Sequence, residues 1–178
     1  SAPRRGGRDA VRYAVEVVMV QRFSSRAIAF ARARRAARDW VDSYRPSGKP
    51  YPAICRQCGA AEWQGTWRWE PAPPDLPRVL CPACERIRDG AAAHVLELRG
   101  ELPRWWQEVR GMIDTVERAE MAEHPLERVM PVTTHEDYVL VPTTGMHVAR
   151  RIVAAIVRRF RRQVQVRFDD HCTTIEWL

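Results

Sequence analysis

The feature that most constrains this chain is a pair of identical cysteine motifs. Two residues separate Cys55 from Cys58, two separate Cys81 from Cys84, and 22 residues lie between the pairs. A Cys-x-x-Cys spacing lets one tight turn direct both sulfurs at a single point, and two such turns complete a tetrahedron around Zn²⁺. Gly59 follows the first pair, where a positive φ is often needed to close the turn. The sequence therefore predicts one zinc ion bound by all four cysteines.

Other roles fit these cysteines less well. A redox site needs a single Cys-x-x-Cys motif, not two close together. Disulfides would leave the fifth cysteine, Cys172, unpaired, and no apolar signal segment opens the sequence. Four thiolates fill the coordination shell and leave no position for an activated water, and the His-x-Glu motif of zinc deaminases is missing. We therefore predict a structural zinc.

The net charge of +7 is unevenly distributed along the chain. Residues 1–50 carry +8 and residues 138–168 carry +7 without one acidic residue, whereas residues 51–137 carry −5. Two arginine-rich blocks are typical of proteins that bind phosphate backbones. A GC-rich genome would explain 28 arginines against one lysine, but it does not explain 31 consecutive residues without an acid. RNA is the partner that this pattern predicts.

The patterns indicate an α+β fold in four parts. Residues 1–50 are expected to form a basic extension with a tail, a strand and a helix. Residues 51–90 are predicted to be a four-cysteine zinc ribbon, and residues 91–130 a connecting segment with a long amphipathic helix over 102–123. Residues 131–178 are predicted to form a small β-α-β-β unit with an arginine-rich helix over 146–160.

The amino-acid composition also bears on where the protein is located in the cell. No run of about 18 apolar residues occurs, so no membrane association is expected. A cytoplasmic bacterial protein is the first expectation. The arginine-rich start also resembles an organelle transit peptide, so organelle import is an alternative.

Three tryptophans lie between the cysteine pairs. Trp63, Trp67 and Trp69 belong to a predicted hairpin with its turn at Gln64-Gly65, and Trp67 and Trp69 share one face of a strand. They are interpreted either as the small apolar core of the ribbon or as a surface on which unpaired bases stack. We expect at least one of the three to belong to the core.

The arginine-rich helix supplies the other candidate contacts. Arg150 and Arg151 lie in its first turns, where the helix dipole disfavours cations, so an anion bound at the helix start would explain them. A solvated charged face is the alternative interpretation. The predicted nucleic-acid contacts are Thr143, Thr144, His147, Arg150, Arg151, Arg158, Arg159, Arg161 and Arg162 around this helix, Trp63, Trp67 and Trp69 in the ribbon, and Arg32, Arg35 and Arg38 in the extension.

From residue 51 to 178 the chain resembles a family of uncharacterised bacterial zinc-ribbon proteins. The resemblance rests on these sequence motifs: Cys55-x-x-Cys58-Gly59, Gly65-x-Trp67-x-Trp69, Leu80-Cys81-Pro82-Ala83-Cys84-x-Arg86-Ile87, His124-Pro125-Leu126-Glu127-Arg128, Thr143-Thr144-x-x-His147-x-Ala149-Arg150-Arg151-Ile152 and Trp177. That family is distantly similar to the zinc-binding region of the archaeal and eukaryotic export adaptor of the large ribosomal subunit, named for nonsense-mediated decay. The resemblance implies zinc ligation by the four cysteines, a ribosomal partner, and importance of His147, Arg150 and Arg151.

The chain departs from that family in two places. Residues 1–50 have no recognised counterpart. Gly145 stands where a polar residue, often Asp, is expected, which leaves the capping of the following helix open.

Together these patterns predict an RNA-binding protein that is stabilised by a structural zinc and associated with the ribosome in assembly, hibernation or quality control. The alternative is a zinc-ribbon adaptor that contacts a ribosomal or regulatory protein, for example in a transcription assembly. No Ser/His/Asp set, paired-carboxylate motif or phosphate-binding loop occurs, so neither catalysis nor a small-molecule substrate is expected. An enzyme acting on nucleic acid with a structural zinc is the minor alternative.

Overall fold

The computed structural model describes residues 51–178, which form a mixed α+β fold of three helices and two small sheets. The extension predicted over residues 1–50, including Arg32, Arg35 and Arg38, lies outside the described residues. Among residues 51–178 no helix has both the length and the apolar composition needed to cross a bilayer.

The elements follow one another in a simple order along the chain. They are β1 (Ala53–Cys55), β2 (Ala61–Trp63), β3 (Thr66–Arg68), β4 (Arg78–Val79), α1 (Pro82–Asp89), β5 (His94–Gly100), α2 (Leu102–Glu123), β6 (Thr133–Thr134), β7 (Tyr138–Thr143), α3 (Met146–Phe160), a 3-10 turn (Arg161–Gln163), β8 (Val164–Phe168) and β9 (Cys172–Trp177).

The first sheet has four short strands in the order β3-β2-β1-β4. Its β2–β3 hairpin turns at Gln64-Gly65, as predicted, and both turn residues have positive φ, at 55° and 83°. That combination is typical of the tight turn that matches the twist of a two-stranded ribbon. Trp67 on β3 is buried against the cysteines and contacts the Tyr51 ring edge-on, with centroids 6.0 Å apart. This unit therefore has a small apolar core that consists mainly of cysteines, alanines and one tryptophan.

The second sheet has five strands in the order β6-β7-β5-β9-β8. The predicted helices over 102–123 and 146–160 are both confirmed, and the β-α-β-β order predicted within residues 131–178 is present in β7, the helix Met146–Phe160, β8 and β9. Strands β5 and β9 run parallel, whereas the other neighbours are antiparallel. A parallel pair needs a long crossover, and the chain between β5 and β9 supplies it with both long helices.

The central strand of this sheet was missed by the sequence analysis, which treated 91–130 as a connecting segment. His94–Gly100 pairs with β7 on one side and β9 on the other. Its sequence carries His94 and Glu97, which are polar but buried. These side chains have polar partners, Thr173 for His94 and Arg99 for Glu97, and such pairing offsets the cost of burial. The α/β unit therefore depends on a strand outside 131–178.

The helix α2 is not a free connector, because it packs with α3 on the second sheet. Val109 and Ile113 of α2 lie in one buried cluster with Ile152 and Ile156 of α3. Phe160, at the end of α3, contacts Trp105 and Trp177 edge-on, with ring centroids 5.5 and 5.3 Å away. Such aromatic contacts add stability beyond the area they bury. The long helix therefore belongs to the main core of the described residues.

The buried His94 predicts a loss of stability in acid. Burial disfavours its cation, and His171 and Arg150 add repulsion, so the pKa of His94 falls from 6.5 to about 4. The unfolded chain therefore takes up a proton between pH 6.5 and 4 that the folded chain does not, and stability falls over that window by about 3 kcal/mol at most. His94→Gln retains a hydrogen-bonding group for Thr173 but lacks this titration. The measurement is the free energy of unfolding against pH for both proteins.

The difference between the two curves isolates His94, because both proteins share every other titrating group. We expect the wild-type curve to lose more stability than the His94→Gln curve as pH falls from 6.5 to 4. Parallel curves over that range would contradict a buried neutral histidine. His135→Gln is the matched control, since His135 lies partly exposed in a turn.

Candidate metal centre and the arginine helix

The first cysteine pair lies on a tight turn after β1. The Gly59 amide donates to the Cys55 carbonyl at 2.9 Å, and the Cys55 amide donates to the Ala60 carbonyl at 2.7 Å. Gly59 has φ of 81°, the left-handed conformation expected from its position. The turn directs Cys55 and Cys58 to the same point because its backbone closes on itself within five residues.

The second cysteine pair lies at the start of a helix. Cys81 is the N-cap of α1, and its sulfur accepts a hydrogen bond from the Cys84 amide at 3.4 Å. The Cys81 amide in turn donates to the sulfur of Cys55 at 3.3 Å. Pro82 occupies the first helical turn, where no amide donor is needed. These contacts join the two turns and orient their sulfurs toward one another.

The four sulfur atoms form a compact cluster. All lie within 4.8 Å of one another, and Cys58 Sγ and Cys81 Sγ are 3.8 Å apart. A zinc ion bound at about 2.3 Å by four thiolates separates them by about 3.8 Å. Cys55, Cys81 and Cys84 are buried, whereas Cys58 is partly exposed. The residue set that the sequence predicted is thus brought together in a geometry that can hold one metal ion.

Protons compete with a metal ion for the sulfur atoms of the cluster. The sulfurs of Cys58 and Cys81 share a hydrogen bond, and mainly for this reason the pKa of Cys58 falls to about 4. The same hydrogen bond, together with burial, raises the pKa of Cys81. Burial raises the pKa of Cys84 to about 11. The protons on Cys81 and Cys84 must therefore leave when a metal binds, so metal affinity is expected to fall as pH is lowered.

A residue that the sequence analysis did not select, Arg128, completes this site. Its Nη1 atom lies 3.5 Å from the sulfur of Cys84, and its guanidinium helps to lower the pKa of Cys58. Its Nε atom donates to the Pro125 carbonyl at 2.7 Å, which orients the side chain. Arg128 is 44 residues from Cys84, so no short sequence spacing connects it to the cysteines. The sequence indicated it only as part of the motif His124-Pro125-Leu126-Glu127-Arg128 in the family resemblance.

The three tryptophans have different environments. Trp67 is 8% exposed and belongs to the core around the cysteines, as expected for at least one of them. Trp63 and Trp69 are about 40% exposed. The Trp69 Nε1 atom donates to the Met121 carbonyl at 2.6 Å, and Arg128 lies over its ring at 5.8 Å. Trp69 thus joins the first sheet to the end of α2, and Trp63 and Trp69 retain exposed ring surface.

The anion predicted at the start of α3 is a carboxylate of the chain itself. The Val148 amide donates to Glu127 Oε2 at 2.8 Å. A Cβ atom at Gly145 would collide with this carboxylate, which explains the glycine where a polar cap was expected. Glu127 therefore occupies an amide of the helix start that the sequence analysis assigned to phosphate, and phosphate contact at this point stays a prediction.

Thr143 and Thr144 are buried and engaged in the fold. The Thr143 hydroxyl donates to the Gly145 carbonyl at 2.8 Å. The Thr144 hydroxyl donates to the Leu126 carbonyl at 2.6 Å and accepts from the Arg128 amide at 2.9 Å. Both were predicted to contact nucleic acid. Their hydroxyls instead hold the 126–128 loop and the start of α3 in place.

The charged residues of α3 divide into two groups. His147 and Arg151 both contact Glu120 of α2, at 3.0 and 2.7 Å, and Arg159 contacts Glu108 at 2.5 Å. These three pair with acidic residues of α2. The second group is exposed and makes no ion pair within residues 51–178; it consists of Arg150, Arg158, Arg161 and Arg162.

Comparisons with known proteins did not identify a relative of this chain. A scan against protein-family models, a search of curated proteins and a search of solved structures each returned no match. The resemblance to bacterial zinc-ribbon proteins and to the ribosomal export adaptor therefore stays a prediction.

The four-cysteine cluster predicts that Cys81→Ser abolishes metal binding at the cysteines. A missing thiolate leaves three ligands, and a unit with so small a core depends on its metal to fold. After dialysis against a mild chelator, we expect the purified variant to lack bound metal and residues 54–88 to lose protection from hydrogen exchange. Cys172→Ser, outside the cluster, should retain one equivalent after the same dialysis. One chelator-resistant equivalent in Cys81→Ser would contradict the four-thiolate site.

The position of Arg128 predicts that Arg128→Gln weakens metal affinity. The substitution removes the cation closest to the thiolates, and loss of such supporting groups typically costs 10–100-fold in affinity. Competition with a chromophoric chelator measures this directly. Arg118→Gln, an exposed arginine on α2, is the charge-matched control and should leave affinity unchanged. Equal affinities for the two variants would show that Arg128 does not tune the site.

Proposed function

We propose that the chain binds one Zn²⁺ through its four cysteines and that the zinc-stabilised fold binds RNA, with ribosomal RNA as the first candidate. The observation that carries the RNA proposal is the second group of arginines, on α3 and on the 3-10 turn that follows it. Arg150, Arg158, Arg161 and Arg162 are exposed and have no acidic partner within residues 51–178. Exposed guanidinium groups can form charge-assisted, bidentate hydrogen bonds with phosphate.

The zinc has a structural role in this proposal. The first sheet has strands of two or three residues, and its buried residues are mainly small. A core of this size contributes little stability, so the metal supplies much of the folding free energy. Four thiolates would fill a tetrahedral shell around the ion, which is the pattern of closed structural sites. We therefore propose that zinc fixes the hairpin and its exposed tryptophans in place.

The arginines favour contact with an extended phosphate backbone. Arg150 and Arg158 are eight residues apart on α3, about 12 Å along the helix axis. Arg161 and Arg162 continue past its end in the 3-10 turn. The spread along the helix suits several phosphates better than one small anion. The paired residues His147, Arg151 and Arg159 are excluded from this proposed surface because Glu120 and Glu108 already neutralise them.

Exposed aromatic rings give the proposal a second element. Phe168, at the end of the edge strand β8, is 73% exposed, and Trp63 on the hairpin is 40% exposed. Exposed rings stack on unpaired bases, and every base offers a face for stacking. We therefore propose single-stranded segments of RNA as the preferred ligand. The ribosomal assignment rests on the resemblance of residues 51–178 to the zinc-binding region of the export adaptor.

The test compares two triple variants that remove the same charge. Arg158→Gln, Arg161→Gln and Arg162→Gln together should weaken RNA binding strongly. Arg104→Gln, Arg110→Gln and Arg118→Gln together remove three exposed arginines of α2 and should leave binding nearly unchanged. Affinity is measured against salt concentration with single-stranded rRNA fragments. We expect the slope of log K against log salt to become shallower by about 2 in the first variant only.

The outcomes separate the proposal from its alternatives. Equal losses in both triple variants would indicate a general effect of net charge and would contradict a specific surface. No salt-dependent binding by the wild-type chain would end the RNA proposal. Recovery of one protein partner from lysate after nuclease treatment would then support the zinc-ribbon adaptor instead.

A further inference from the structure

A second group of metal-ligating side chains lies where the end of α2 meets the start of α3. Glu120 lies in the last turn of α2, and His124 is the residue that ends this helix. His147 lies on the first turn of α3, and its Nε2 atom is 3.0 Å from Glu120 Oε2. One ligand atom from each of the three residues lies within 4.8 Å of the other two. The two imidazole centroids are 5.8 Å apart.

The conformation of His124 follows from its neighbours. Its amide still donates to the Glu120 carbonyl at 2.8 Å, which closes the last turn of α2. Pro125 then forces His124 out of the helical region, to φ of −126° and ψ of 91°. Pro125 is itself fully buried. The backbone that carries His124 is thus held firmly, although the imidazole is exposed.

Glu120 is in an unusual position for an acid. Its side chain is 8% exposed, and it lies in the last turn of a helix, where the macrodipole disfavours a negative charge. Glu117 and Glu123 each lie three residues from Glu120, within one turn on either side of it. Arg151 contacts Glu120 Oε1 at 2.7 Å, and His147 Nε2 lies 3.0 Å from Oε2. One carboxylate oxygen is therefore held by the guanidinium, and the other faces an imidazole, with a ligand atom of His124 also within the 4.8 Å cluster.

We propose that Glu120, His124 and His147 bind a second divalent metal ion, separate from the four-cysteine site. Two imidazole nitrogens and one carboxylate oxygen suit a borderline first-row ion such as Zn²⁺ or Fe²⁺. Ligands at about 2.1 Å around one ion are separated by about 3.4 Å. The distance from His147 Nε2 to Glu120 Oε2 is 3.0 Å, and all three ligand atoms lie within 4.8 Å of one another, so the observed separations lie on both sides of about 3.4 Å. Rotation of the two exposed imidazoles would bring the ligand atoms to that separation.

This second site differs from the cysteine site in what it can do. Three protein ligands leave at least one coordination position for water or another ligand, whereas four thiolates leave none. Both histidines are exposed, so that position is open to solvent. Arg151 holds the carboxylate oriented through its other oxygen, in the way that supporting groups orient metal ligands. The second ion is therefore exchangeable, whereas the ion in the cysteine cluster is enclosed.

Metal stoichiometry of the full chain tests the proposal in the absence of RNA, so its failure is distinct from failure of RNA binding. We expect two equivalents of Zn²⁺ after dialysis against buffered Zn²⁺, one of them removed by a mild chelator. With Co²⁺, the first equivalent should give thiolate charge-transfer absorption. The second should add only weak ligand-field bands, because its ligands are nitrogen and oxygen.

Two variants assign the second equivalent to these residues. His124→Ala removes one ligand, and His147→Gln removes the imidazole but retains a hydrogen-bond donor for Glu120. Each should bind one equivalent and keep the thiolate absorption. His135→Ala, which changes a histidine on the β6–β7 turn, should still bind two. Glu120→Gln is avoided as a first test because it also breaks the contact with Arg151.

A chemical measurement guards against variants that fail to fold. Diethyl pyrocarbonate modifies accessible imidazoles, and bound Zn²⁺ should protect His124 and His147 but not His135 in the wild-type chain. Mass spectrometry of the peptides reads out each histidine separately. A single equivalent of Zn²⁺ in the wild-type chain, or a second equivalent that survives either substitution, would overturn the proposal. Equal modification of all three histidines with and without Zn²⁺ would do the same.

Discussion

The convergence of four cysteine sulfurs is the constraint on which the rest of the described structure depends. Thiols this close share protons, as the opposite pKa shifts of Cys58 and Cys81 indicate. A divalent cation replaces those protons and turns mutual repulsion into attraction. One backbone turn and one helix start bring the sulfurs together, and Arg128 adds a positive charge from a distant part of the chain. The small first sheet therefore has a polar, metal-dependent centre in place of a large apolar core.

The short loop from His124 to Arg128 connects that centre to the larger unit. Arg128 contacts the sulfur of Cys84, Glu127 caps α3, and His124 faces His147 across the helix junction. Five consecutive residues thus contribute to the metal cluster, a helix cap and the proposed second metal site. Because these contacts share one short loop that contains the buried Pro125, we expect a substitution at one of them to alter the others.

Charge along the sequence predicted a positive helix but not which of its arginines are neutralised. Residues 138–168 contain no acid, so every arginine of α3 looked available. The acidic partners come from α2, where Glu108 and Glu120 contact Arg159 and Arg151. Helix packing decides such pairs, and a one-dimensional count of charge does not contain it. The surface proposed to bind RNA is smaller than the sequence suggested for this reason.

The sequence by itself determined what depends on short spacing. The Cys-x-x-Cys pairs, the positive-φ turn at Gln64-Gly65 and the apolar periodicity of the two long helices each arise within a few residues, where sterics and side-chain period act directly. Only the tertiary structure decided the central place of strand His94–Gly100, the capping of α3 by Glu127 and the meeting of Glu120 with His147. These arise between residues 20 to 80 positions apart. Such long-range contacts depend on how the packed helices and strands bring side chains together. They produce no periodic pattern in the sequence from which they could be predicted.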